Sequence, residues 1–473
     1  MRILRFQELK HISYDDLKYA FKYSNIENFD EIINKLQIAN VLKHIFPKPR
    51  LDDLNVAENI TINLRQDGYF TFKFVGLITI GNYCLIVYPK YIKNIDNDFL
   101  NEKKKIKQII QVIDKYQSIN SIYLDSNNQA YSSMLPLMIK ILSSYFHYGL
   151  YWTNQSIIEE NGEGNILWEQ TINQSTAYII KNRPYYLNLY TNNQKINEMD
   201  IIRRIHAVVI TDICSKLHDV LNIFDLSESI LTTEVISDFG DEDYIEYLLN
   251  KELNNQFITY KKSVLNDILQ YIKYLQKMNS DIQPLFYGTT SFNLVWEKVC
   301  QTLYHDDLSR NINELHLKLR DDDEKINYEG ARTLKDIVEK PIWSQEDLEV
   351  YATKTLELDA LRVNHSEKCF EIYDGKYYQI EINDNKVSGQ PGIEDITKQY
   401  LYQLAFSKLA KINNFVFSNS FVIPVDELLE DSGLGVPYAM ASLDMLNELK
   451  LNKIKVIARD AQKSFADYLQ SIN

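Results

Sequence analysis

Apolar positions along the chain follow three successive spacings. From about Asn59, the run ITINLRQDGYFTFKFVGLITIGNYCLIVYPKYI has short apolar alternations rich in β-branched and aromatic residues. With turn signals at Asp67-Gly68 and Gly81-Asn82, it predicts a meander of about three strands. Pro89 cannot donate to a ladder, so Tyr88-Pro89-Lys90 should end the last of them. Between about Asn101 and Lys277 the period lengthens to that of a helix. Ile201, Ile205, Val208, Ile213 and Leu217 share one stripe, and YIEYLLNKELNNQFITYKKSVLNDILQYIKYLQKM predicts one or two further long helices. The turn-rich stretch around Asn161–Gly164 reads as a short interruption.

After Gln283-Pro284 the pattern changes again. A helix is predicted in TTSFNLVWEKVCQTLYHDDL, followed by strand-like LELDALRV and CFEIYDGKYYQIEI. A Gly/Pro turn over Ser388–Gly392, a helix in IEDITKQYLYQLAFSKLAKI and a strand in FVFSNSFVIPV complete the series. The order helix, strand, strand, helix, strand predicts a sheet covered by helices. No repeat of 20–50 residues is visible. The expected organisation is therefore a multidomain α/β (α+β) chain: a small β-rich segment over 1–100, a mainly helical region over 101–285, and an α/β core over 286–473.

At 473 residues the chain has ample length for several cores. Its 51 Lys+Arg against 65 Asp+Glu give a net charge of −14. That argues against a protein that simply coats nucleic acid, but leaves room for a local basic groove. Cys84, Cys214, Cys300 and Cys369 are far apart with no CxxC pair, so neither a zinc knuckle nor a disulfide framework is legible. With no apolar run of membrane-spanning length and no signal-peptide pattern at the start, the expectation is a soluble cytoplasmic protein.

The chemistry concentrates between Leu356 and Tyr378. Side chains alternate along strands, so Glu357, Asp359, Leu361 and Val363 share one face of the first run, and Phe370, Ile372, Asp374 and Lys376 one face of the second. If the runs pair through NHSEK, Asp359 meets Asp374 near a sheet edge, with Lys376 two residues on. Like charges in one pocket make a poor core. They make sense around a divalent cation, since Mg²⁺ takes one or two carboxylates, water and phosphate oxygens. The bare D…DxK pattern also fits solvated charges at a strand edge.

FEIYDGKYY followed by PGIEDITKQYLYQLAF resembles the LlaJI family of restriction endonucleases, relatives of McrC, the nuclease partner in the McrBC system. VWEKVC (Val295–Cys300) and NGEGNILWEQTI (Asn161–Ile172) extend the resemblance over about the last two-thirds of the chain, and FVGLITIGNYCLIVYPKYI is similar to the N-terminal β region of McrC-type proteins. The resemblance implies a PD-(D/E)XK nuclease core. Asp359 and Asp374 would be its acidic residues and Mg²⁺ ligands, Lys376 its lysine, Glu297 an additional metal ligand, and Gln403 the glutamine of the following helix, with Gln399 as its neighbour at i,i+4 spacing. It also implies double-stranded DNA as substrate and a separate McrB-like AAA+ GTPase as partner, engaged by the N-terminal and helical regions. Gly375 departs from the family's usual small residue and is expected to loosen its strand by up to ~1 kcal/mol.

Other residues have plainer readings. Tyr377 and Tyr378 fit either a stacked base or a core, and His365 a loop histidine. The Asp321–Glu324 cluster lacks the glycine of a calcium loop. Arg203-Arg204 and Lys103–Lys105 read as helix-surface charge. No GxxxxGK[ST] loop is present, so nucleotide hydrolysis is not expected of this chain. Two competing functions remain at this level: a non-catalytic subunit that only activates its partner, and a repair nuclease working without a GTPase.

Overall fold

In the computed structural model, the described residues are 2–471 except 22–25, 46–67, 94–98, 121–133, 278–282, 324–325, 347, 385, 429–434 and 450. Helices and strands are mixed throughout, as expected for a multidomain α/β chain. The chain folds as two compact units interleaved in sequence. One comprises Met1–Arg2, Ile80–Cys84 and Asn127–Phe286; the other comprises Ile3–Thr79, Leu85–Ser126 and Tyr287–Asn473.

The second unit holds a five-stranded sheet. Its strands are β1 (Ala360–Asn364), β2 (Cys369–Gly375), β3 (Val416–Val425), β4 (Val436–Ala441) and β5 (Ile454–Asp460), in the order β1-β2-β3-β5-β4. β1 and β2 form an antiparallel hairpin, β2, β3 and β5 run parallel, and β4 returns antiparallel to β5. A parallel neighbour needs a crossover, and the helices α2 (Ile393–Ala405) and α3 (Ser407–Asn413) supply it between β2 and β3.

Alternation along β2 sets the two layers. Phe370 and Ile372 join Leu361, Tyr402, Phe406 and Leu409 in a core beneath α2 and α3. On the opposite face Tyr373 stacks on Tyr304, with ring centroids 3.9 Å apart, and the buried Trp296 of α1 (Phe292–Leu303) donates its indole N–H to the Val422 carbonyl at 3.0 Å. The C-terminal helix α4 (Ala461–Gln470) lies on the same side as α1. The preceding helix Phe99–Asn120 is bound to it: Lys115 Nζ donates to the Tyr468 and Ser471 carbonyls, both at 2.7 Å.

The two strand-like runs are shorter than their sequences suggest. Leu356–Asp359 is not strand, and β2 stops at Gly375 rather than continuing to Ile382, where Glu381–Asn383 instead pairs with Lys386–Ser388. The N-terminal meander is also corrected. Val75–Ile80 and Tyr83–Tyr88 form a hairpin closed at Gly81-Asn82 and ended by Pro89, and their sheet has the order Arg2–Gln7, Tyr83–Tyr88, Val75–Ile80, Leu285–Thr289. Tyr69–Phe72 belongs instead to a second sheet, between Ile12–Ser13 and Leu42–Ile45. The run 59–67, with Asp67, lies outside the described residues.

In the other unit the helices appear as expected: Ile201–Leu221, capped by the Asp200 carboxylate, and two for the long run, Glu242–Asn255 and Thr259–Lys277. The stretch around Asn161–Gly164 is more than an interruption. It is the turn from Asn154–Glu160 to Asn165–Ile166, both paired with Tyr190–Ile196, and a separate hairpin joins Ala177–Ile180 to Arg183–Tyr186 through Lys181 and Asn182, both left-handed at φ 50° and 61°.

His206 of this unit is buried, and its Nδ1 accepts from the Tyr151 backbone N–H at 3.0 Å. Burial, reinforced by Arg203, pushes its imidazole down to about 4. The folded form therefore binds the proton more weakly than the unfolded chain. This stabilisation is complete above about pH 6.5 and is lost as pH falls toward 4. Urea unfolding of this unit is expected to lose about 2 kcal/mol between pH 7.5 and pH 5, and His206→Gln should flatten that slope.

Candidate functional site

The β1–β2 register fixes the centre of the site. Leu361 pairs with Ile372 and Ala360 with Tyr373, so one further step sets Asp359 opposite Asp374, on the face the alternation assigns to both. Asp359 lies just before β1, and its Oδ2 accepts from the Gly375 backbone N–H at 3.0 Å. Asp374 is 3% exposed, and its Oδ1 has no hydrogen-bond partner. Its Oδ2 pairs with Lys376 Nζ at 3.1 Å. The structure thus brings Asp359, Asp374 and Lys376 together.

Electrostatics at this edge are strained. Burial first, and then the facing Asp374 carboxyl, push Asp359 far above the ordinary carboxylate range, with Glu297 adding to the rise. Burial draws the Lys376 ammonium down, but the carboxylates of Asp374 and Asp395 outweigh it and leave it more firmly protonated than usual. Asp395 holds Lys376 Nζ at 2.9 Å and also accepts from the Tyr378 hydroxyl at 3.4 Å.

Glu297 arrives differently. It stands on α1, across the opposite face of the sheet, and a Cβ built on Gly375 would sit 3.0 Å from the Glu297 Cα. The missing side chain lets α1 press against the strand. Burial, and then Asp374, raise the Glu297 carboxyl, so it feels the pair. Among the described residues, however, no group of three or more Asp, Glu, His or Cys side chains could surround a metal ion. The expected three-carboxylate ligand set is not assembled; Asp359 and Asp374 are the facing pair.

The glutamines divide as spacing alone could not decide. Gln403 is tethered away from the pair, its Oε1 accepting from the Asn452 N–H at 3.3 Å. Gln399 is fully buried, and neither end of its amide has a partner. It belongs to the same helical row as Asp395 and Tyr402. Tyr402 donates to the Glu357 carbonyl at 2.6 Å, and burial, then Asp374 and Asp359, push its hydroxyl up to about 12. Asp395 and Tyr402 were not singled out from the sequence, although their i, i+4, i+7 spacing with Gln399 was available.

The remaining residues take plain roles. Tyr377 is buried and donates to Glu8 Oε2 at 2.5 Å, while His365 Nε2 contacts the Leu315 carbonyl at 2.8 Å. Asp321 and Asp322 are paired with Lys318 and Arg320, and Glu324 lies outside the described residues. Arg204 is bound to Glu234 and Lys105 to Asp426. A cleft of about 380 Å³ is lined by Glu297, Gly375 and Lys376 among others, the last two following Asp374 in the chain. No helix among the described residues is long and apolar enough to cross a membrane.

Comparison with known proteins adds a lineage. The model of a family described as LlaJI restriction endonuclease matches residues 74–323 and 322–446. The chain is 28% identical over 373 residues to the Type II restriction enzyme BsuMI component YdjA of Bacillus subtilis, covering 75% of this chain and 74% of the relative. Among solved structures it is similar to a chain of the Thermococcus gammatolerans assembly of McrB AAA+ hexamers with bound McrC, at 13% identity, 99% coverage of both chains and a TM-score of 0.39. The Thermococcus gammatolerans McrBC complex matches at 12% identity over 57% of this chain and 79% of that one, with a TM-score of 0.22.

Proposed function

The chain belongs to the LlaJI restriction endonuclease family, and from that premise we propose that it is the Mg²⁺-dependent endonuclease subunit of a restriction system, cutting double-stranded DNA through a PD-(D/E)XK core. The observation that carries this reading is the buried, facing pair Asp359 and Asp374, with an unpartnered Asp374 oxygen and the Lys376 ammonium beside them.

The donors fit a hard divalent cation. Two carboxyls pressed together repel, one retaining its proton far above its ordinary range, and an unpartnered buried oxygen is costly. Asp359 and Asp374 would hold Mg²⁺, which when bound supplies an acidified water and a polarised phosphate. Lys376 contributes charge rather than basicity: two carboxylates keep it protonated, so it stabilises negative charge developing on the phosphate and does not accept a proton. Asp395 positions it. Gln399, on the helical row of Asp395 and Tyr402, offers a buried amide donor and acceptor that have no partner.

Nucleotide hydrolysis belongs to a separate McrB-like AAA+ GTPase, because the chain has no GxxxxGK[ST] loop and the McrC resemblance implies such a partner. Both would work in the cytoplasm on foreign DNA. Plasmid incubated with the chain, that GTPase, GTP and Mg²⁺ should be cut. EDTA should stop the reaction and excess Mg²⁺ restore it. Intact plasmid under every divalent-ion condition would overturn the assignment.

A further inference from the structure

The cleft that Glu297 and Lys376 line is also lined from the N-terminal part of the same compact unit, by Lys73 and Lys90. Lys73 follows Tyr69–Phe72, the strand paired with Leu42–Ile45, and the pairing sets Lys43 opposite Thr71, two residues before Lys73; Lys43 is the main cause that weakens the hold of the Lys73 ammonium on its proton. Both are exposed, and the interactions felt by Lys73 among the described residues include no carboxylate. Two like charges on neighbouring strands repel, and an anion between them relieves that repulsion. Lys90 is fixed by the Tyr377 and Tyr378 rings, its Nζ 4.5 and 5.4 Å from their centroids, and its charge is partly offset by Glu8. In a chain of net charge −14, this alignment of cations stands against the overall balance.

We propose that Lys43, Lys73 and Lys90 form a phosphate track that holds the DNA backbone beside the bond to be cut, with Lys43 and Lys73 carrying most of the attraction. This rests on the nuclease reading for what lies at the end of the track, but not for the binding itself. Phosphate contacts give sequence-independent affinity that falls with salt, by about 0.9 in log–log slope per contact.

The test is fluorescence anisotropy of the full-length chain with a labelled duplex in EDTA, so that no cleavage intervenes. Lys43→Ala/Lys73→Ala should weaken binding at least ~10-fold at about 50 mM salt and reduce the salt slope by about 1.8. Lys73→Arg should retain wild-type affinity, and Lys340→Ala/Lys354→Ala, at two exposed lysines that do not line the cleft, should also leave it unchanged. Unchanged affinity in the Lys43/Lys73 variant, an equal loss in the control, or no measurable binding by the wild-type chain would overturn the track. Lysine-dependent binding by a chain that never cleaves DNA would sustain the track and sink the nuclease reading.

Discussion

Asp374→Asn is expected to reduce plasmid cleavage by about three orders of magnitude or more while leaving thermal stability unchanged or raised. The two effects have one cause. Asp374 is buried against another carboxyl, with one oxygen unpartnered and the other bound to Lys376. For folding alone this is a poor arrangement, and a neutral amide of the same shape removes the repulsion from Asp359. Lys376 keeps Asp395 as a partner, so the substitution strands no cation. For a reaction that needs anionic oxygen to hold a divalent ion, the same change is severe. Calorimetry beside a cleavage time course separates the two effects, and binding to the GTPase should persist. Cleavage at the wild-type rate would remove Asp374 from the site.

The centre of this site was legible because a strand alternates with period two. Once LELDALRV and CFEIYDGK are read as strands joined through NHSEK, Asp359 and Asp374 share a face, and the register extended one step from Ala360–Tyr373 sets them opposite; Lys376 lies beyond the end of β2 and reaches Asp374 through its ammonium. The limits of that reading are tertiary. Nothing local places Glu297 across the sheet, because its position depends on how closely α1 approaches Gly375. Gln399 and Gln403 both point inward, and only the packing of Asn452 against one distinguishes them. The strands between Asn154 and Ile196 carry no apolar stripe, being exposed or partly so along most of their length, and alternation cannot reveal a sheet without a buried face. The N-terminal meander failed for another reason: Tyr69–Phe72 finds its partners at Leu42–Ile45 and Ile12–Ser13, beyond its sequence neighbours.

Gly375→Val should produce the opposite signature one residue away, costing about 3 kcal/mol of stability in urea unfolding. From sequence, Gly375 was expected to weaken its strand. In the fold its lack of a side chain is what allows the helix to lie where it does. A Cβ there would meet the Glu297 Cα at 3.0 Å, the Cys300 Sγ at 3.3 Å and the Cys300 Cβ at 3.4 Å. The nearest of these is helix backbone, which cannot rotate away as a side-chain tip can. Alanine requires α1 to shift by a few tenths of an ångström, at about 1 kcal/mol, whereas valine adds two methyl groups to the same gap. Because Trp296 ties α1 to Val422 on β3, that shift is resisted by the sheet's central strand as well as by β2. The displaced helix carries Glu297 and Asn293 along the cleft wall, so Gly375→Ala should also lower cleavage, here together with the melting temperature. Wild-type stability in Gly375→Val would mean that α1 does not press on the strand, and Glu297 would then lose its structural link to the aspartate pair.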